Sequence, residues 1–306
     1  MRYPVAGALA LVLLIALAAA FFAGAEQTTK PRQVLCSFWS EFIFAQSVAQ
    51  GVSDIQLQLL MPVGGGCDHG YSLTPADLTK ISGADLIIAN GQLESFLPRV
   101  REAFPHKAIV TTADAVVLLP DEFAAHNDGD GEHHGTYNPH TWLGILNAVV
   151  MVDRIRIAFD RLLPAHSREF AANTTAYQQR LLALRGEYLA AASEFKSRKI
   201  VTFHNSFSYL ARELDLDVIG TVMEVPGIAP TAAEIEALVR KIRESGAVAI
   251  FSEPAFPPRV AEMLAAELKM KVHSLDTGGN TEPTPAAYEE MMRANLKVLV
   301  EALGAR

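Results

Sequence analysis

The sequence predicts an α/β protein of two lobes, each a (βα)4-type unit with a four-stranded parallel sheet, joined by one long backbone helix. Three observations predict it. From about Arg32, short runs of β-branched and leucine residues alternate with helix-like stretches, the pattern of parallel strands covered on both faces. The same rhythm returns after residue 198. Between the two sets, Ala165 to Ser197 contains no proline and a single glycine, Gly186.

The elements follow in order. Arg2, the apolar run Ala6 to Phe22 and the small residues Ala23-Gly24-Ala25 have the layout of a secretory signal peptide, residues 1–25, cleaved before Glu26. The run is short for a membrane span, and no cysteine follows it to carry a lipid by that route. Cleavage leaves 25 basic against 34 acidic residues, a charge of −9. An acidic exported chain without a basic tract excludes nucleic acid as a partner. The N-terminal lobe, 26–164, contains the strands Gln33 to Phe38, Ile55 to Met61, Ala84 to Asn90 and Ala108 to Thr112. It also contains an acidic, histidine-bearing loop, 121–137, expected to be flexible.

The linking helix spans 165–197. Phe170, Thr174, Tyr177, Leu181, Leu184, Tyr188, Ala191 and Phe195 recur at steps of four and three, one face of a helix. Thirty residues would reach roughly 45 Å; the alternative is two helices broken at Gly186. The C-terminal lobe, 198–306, contains strands at Lys199 to Phe203, Val218 to Val222, Ala247 to Phe251 and Lys271 to Leu275. A last helix runs from about Pro285 to Leu303.

Open parallel sheets bind ligands beyond the carboxyl ends of their strands. Four residues stand at such places. His69 lies in the loop after the second strand, in GGGCDHGYSLTP. His140 follows Asn138-Pro139, which fixes an extended approach to a helix. His204 directly follows KIVTF, and Asp276 follows KVHSL. Three imidazoles and a carboxylate form a tetrahedral donor set suited to Zn²⁺. Harder ions want more oxygen, and softer ones sulfur. His273 reads as a strand residue, packed or on a sheet face, and His106 and His166 as solvated residues at element ends.

Six segments carry a resemblance. HGYSLTPADL, IIANGQLESFL, NPHTWL, VTFHNSFSYLARELDL, AIFSEPAFPPRVAEMLAAELKMKVHSLD and YEEMMRANLKVLVEAL occur in register over nearly the whole chain after residue 25. In these, the chain resembles the periplasmic solute-binding receptors of zinc and manganese ABC importers, the ZnuA/TroA-like group. The resemblance implies a C-clamp with metal held between the lobes by His69, His140, His204 and Asp276. It also implies a soluble periplasmic receptor, acting as a monomer, that delivers Zn²⁺ to a membrane permease. Manganese members typically place glutamate where this chain has His204, so Mn²⁺ is the lesser expectation. A histidine-rich loop in zinc members corresponds to His126, His133 and His134, expected as an accessory metal loop.

The chain departs from the family pattern at Cys67-Asp68, where Asp-Pro is usual, and at Asn138, where aspartate is usual. A Cys36–Cys67 disulfide would pin the His69 loop, contributing roughly 3–4 kcal/mol. The rival reading is Cys67 as a ligand. Readings from other classes are a secreted zinc hydrolase and a surface adhesin. The hydrolase would need a general base near the metal; no H-E-x-x-H is present, and Glu224 and Glu253 are candidates by position only.

Overall fold

A computed structural model describes residues 30–67, 69–121, 137–224, 228–257 and 259–304. The expected signal peptide and the histidines at 126, 133 and 134 lie outside the described residues. Among those described, no helix is long and apolar enough to cross a membrane.

The unit Arg32–Arg306 holds two sheets of four parallel strands with the same topology. The first consists of β1 (Arg32–Cys36), β2 (Ile55–Leu59), β3 (Leu86–Ala89) and β4 (Ile109–Thr111), in the spatial order β2-β1-β3-β4. The second consists of β5 (Lys199–Thr202), β6 (Asp217–Thr221), β7 (Ala249–Ser252) and β8 (Lys271–Ser274), in the order β6-β5-β7-β8. The central strands β3 (LIIA) and β7 (AIFS) are buried at every position, which explains their continuous apolar runs. In this order the chain switches direction between β1 and β3, and again between β5 and β7. In open parallel sheets such a switch is where ligands bind, beyond the strands' carboxyl ends.

Helices cover both sheets. In the first half they are α1 (Trp39–Val48), α2 (Pro75–Gly83), α3 (Leu97–Ala103) and α4 (Ile145–Leu162); α5 (Ser167–Ser193) follows. The second half adds α6 (Ser208–Leu214), α7 (Ala232–Ser245), α8 (Arg259–Leu268) and α9 (Ala287–Leu303). The linking helix α5 runs unbroken through Gly186 for 27 residues, about 40 Å. Its buried face is Phe170, Thr174, Tyr177, Leu181, Leu184, Tyr188 and Ala192. Ala192 replaces the expected Ala191 because 3.6 residues per turn carries the stripe one position onward. Phe195 is buried just beyond the helix end.

One apolar core joins the two halves. It takes Val34, Trp39 and Ile88 from the first, Trp142, Ile155 and Leu181 from α4, α5 and the turn before them, and Ile200, Phe251 and Met292 from the second. Polar straps reinforce it. The Glu213 carboxylate of α6 accepts the N–H groups of Ile145 and Leu146 at 2.7 and 3.1 Å, capping α4, whose N-cap residue Gly144 has no side chain to do so. Arg185 of α5 holds the same carboxylate at 2.7 Å. On the other side, Arg180 of α5 pairs with Glu289 of α9 at 3.0 Å.

A candidate metal centre between the sheets

His69, His140 and His204 converge. His140 Nε2 lies 3.1 Å from His69 Nε2 and 3.0 Å from His204 Nε2. His140 and His204 are buried, whereas His69 is only partly so, making it the member nearest solvent.

Each imidazole is placed by its local sequence. His69 precedes a turn anchored on Asp77, whose Oδ2 accepts the Tyr71 hydroxyl at 2.8 Å, the Thr74 hydroxyl at 2.7 Å and the Thr74 N–H at 2.9 Å. Thr74 in return caps α2 by accepting the Asp77 N–H, so the Y-x-x-T-P-x-D stretch is a capping box extended backward to grip the histidine loop. His140 sits on a one-turn 3-10 helix, Thr141–Leu143. Trp142 of that turn donates its indole N–H to Thr277 O at 2.7 Å, and Trp39 donates to Thr281 O at 2.7 Å. The two indoles hold the loop after β8 against the first lobe. His204 leaves β5 at the switch between β5 and β7.

Groups behind the imidazoles fix their orientation. Asn138 Oδ1 lies 3.0 Å from His140 Nδ1 and accepts the His140 backbone N–H at 3.0 Å. Glu253, following β7, brings Oε1 to 2.7 Å from His204 Nδ1, a charge pair whose N–H is not aimed along that line. The same oxygen accepts from His204 N and Ser206 Oγ. Burial, then His204 and His69 beside it, pushes His140 well below the ordinary imidazole range, so it stays neutral and can ligate. Burial opposes a charge on His204 as well. There Glu253, and after it Cys67, outweigh burial and push it up to about 10, so a bound cation would replace a proton at that ring.

The structure differs from the sequence reading at the cysteines. Both cysteines are free thiols, so the expected Cys36–Cys67 disulfide is absent. Cys36 ends β1 inside the core, its thiol pushed up by burial and by Glu41, while Cys67 turns its sulfur to His204 Nε2 at 3.7 Å and Thr277 Oγ1 at 3.6 Å. Among the described residues, the group able to hold a metal is Cys67, His69, His140 and His204, with donor atoms within 4.8 Å of one another. Asp276, the carboxylate expected as a ligand, is not one of these four. Its Oδ1 accepts from Gly278 N at 2.8 Å and Asn280 Nδ2 at 2.7 Å, shaping the turn. Asn295 of α9 clamps the Asp276 backbone, accepting from its N–H at 2.8 Å and donating to its carbonyl at 2.7 Å. Of the other histidines, His166 is not simply solvated but lies 2.9 Å from Asp54. Reading by residue type missed Asn138 and Thr277 as partners of the site. The Asn138-Pro139-His140 spacing, an Asx residue two before a held histidine, was the available signal for the first.

Two parallel sheets on a helical spine, with imidazoles converging where they meet, define a two-lobed α/β protein with a candidate metal centre. The family model described as zinc-uptake complex component A, periplasmic, matches residues 34–302, and the chain belongs to that family. It is 27% identical to the zinc-binding lipoprotein AdcA of Streptococcus pneumoniae serotype 4, over 94% of this chain and 60% of that one. It thus spans less than two thirds of the streptococcal relatives it matches. The high-affinity zinc uptake system protein ZnuA of Brucella abortus is 27% identical over 90% of this chain and 94% of its own. Among solved structures, the SBP FpvC of Pseudomonas aeruginosa, in complex with Mn²⁺, superposes with a TM-score of 0.78 at 25% identity. That match covers 90% of this chain and 99% of FpvC.

Proposed function

We propose that the protein is a periplasmic receptor, not an enzyme, that captures Zn²⁺ between its lobes and delivers it to the membrane permease of an ABC importer. In this reading it works as a soluble monomer. The observation that carries it is the convergence of three imidazole nitrogens at 3.0 and 3.1 Å. Tetrahedral Zn²⁺ with bonds of about 2.0–2.1 Å separates its nitrogens by about 3.3 Å, close to the spacing found. Imidazole donors favour zinc over manganese, which prefers oxygen.

Titration calorimetry with zinc tests it. Alanine at His69, His140 or His204 is expected to weaken zinc more than about 100-fold, beyond the usual effect of groups behind the ligands. Unchanged affinity on any one substitution removes that residue from the site, and a preference for manganese overturns the choice of metal. His126, His133 and His134 are proposed as a weak accessory acceptor. Deleting residues 126–134 should spare tight binding and abolish a weaker second event; loss of the tight event refutes the division.

A further inference from the structure

The fourth donor facing the imidazoles is sulfur. Cys67 is 3% exposed, two residues before His69, and reaches the centre by an unusually close approach of backbones. Gly64 N–H donates to Gly279 O at 2.7 Å, joining the loop after β2 to the turn after β8. Gly66 has φ +61°, and a Cβ there would stand 2.6 Å from Ala255 Cβ. A Cβ on Gly279, at φ +79°, would stand 2.7 Å from Gly66 O. Glycine is therefore required on both sides of this contact, and the contact is what carries Cys67 inward.

The distances suit a metal–thiolate bond. With Zn–S near 2.3 Å and Zn–N near 2.05 Å, a tetrahedron separates sulfur from nitrogen by about 3.5 Å. Cys67 Sγ lies 3.7 Å from His204 Nε2. The Cys67 thiol donates to Thr277 Oγ1 at 3.6 Å, and once the thiol proton is lost that hydroxyl can turn its own hydrogen to the sulfur. Asp276, the carboxylate expected at this corner, has Oδ1 committed to Gly278 and Asn280.

We propose that Cys67 ligates the captured ion as a thiolate, giving a three-histidine, one-cysteine site, with Asp276 shaping the turn behind it. The inference rests on the zinc-capture reading. On binding, the Cys67 S–H bond breaks, a Zn–S bond forms from that electron pair, and one proton passes to solvent. A sulfur donor shifts the site toward soft and borderline ions and away from manganese.

Zinc-edge X-ray absorption on the reduced, zinc-loaded full chain reads the donor directly. The expected result is a sulfur neighbour at about 2.3 Å beside nitrogens near 2.0 Å. Cys67→Ser should lose the sulfur signal and weaken zinc by more than about 100-fold. Asp276→Asn should keep the signal. In the Co²⁺-loaded protein the same contrast should appear as a sulfur-to-metal charge-transfer band that Cys67→Ser abolishes. Bound zinc with only nitrogen and oxygen neighbours overturns Cys67 ligation and leaves capture standing. A chain that retains no zinc overturns both.

Discussion

Asn138 shows how one side chain decides which nitrogen a histidine offers. Its Nδ2 donates to Asn205 O at 2.5 Å, which fixes the amide orientation and leaves Oδ1 facing His140 Nδ1. An amide oxygen can only accept, so the ring carries its hydrogen on Nδ1 and keeps a lone pair on Nε2, the nitrogen that meets the other imidazoles. Asn138→Ala is expected to weaken zinc by about 10–100-fold while the protein stays folded. Competition against a chromophoric chelator measures it, and affinity within threefold of the parent would show that the ring is held by other means. The three histidines were legible in the sequence because strand ends and a proline mark them. Cys67 and Asp276 were not separable in that way. Which of them faces the imidazoles depends on how closely Gly66 and Gly279 pass between lobes more than two hundred residues apart in sequence, and no local pattern encodes that.

At the scale of the element, α5 carries the same lesson from the other side. Its apolar stripe is local, a matter of 3.6-residue periodicity, so the helix was readable along with its buried face. What the stripe leaves open is continuity at Gly186, since a glycine weakens a helix without ending it. Tertiary contacts decide it: Tyr188 beyond the glycine donates to Met292 O at 2.5 Å, and Arg180 before it holds Glu289, so α9 splints both sides. Gly186 is exposed, and a Cβ there would meet nothing within 4 Å. Gly186→Ala should therefore stabilise by roughly 0.5–1 kcal/mol, raising Tm by about 2 °C without altering zinc affinity. A lowered Tm in a calorimetric scan would mean that the helix needs its glycine.

The whole molecule should unfold as one unit, because a single core runs from the first sheet through α4 and α5 to the second. That makes a buried charge in one lobe a matter for both. Glu41 on α1 is fully buried, and its carboxylate accepts the hydroxyls of Ser40 at 2.8 Å and Thr112 at 3.1 Å. Nearby Glu94 is better supplied, by the N–H groups of Asn90 and Gly91 and the Ser37 hydroxyl. Burial first, and Glu94 second, raise Glu41 to about 7. The folded chain thus binds this proton more tightly than the unfolded chain does. Its contribution is complete below the unfolded value of 4.5 and is lost as pH rises to about 7. From 4.5 to about 7 the difference amounts to about 3 kcal/mol. Glu41→Gln keeps the shape, serves both hydroxyls and is neutral at every pH. In urea unfolding of the metal-free protein, the variant should exceed the parent by about 3 kcal/mol at pH 8 and by about 1 kcal/mol or less at pH 5. Each protein should show one transition for both lobes. Parallel pH profiles would place the titrating group elsewhere, and two transitions would mean that the shared core does not couple the lobes.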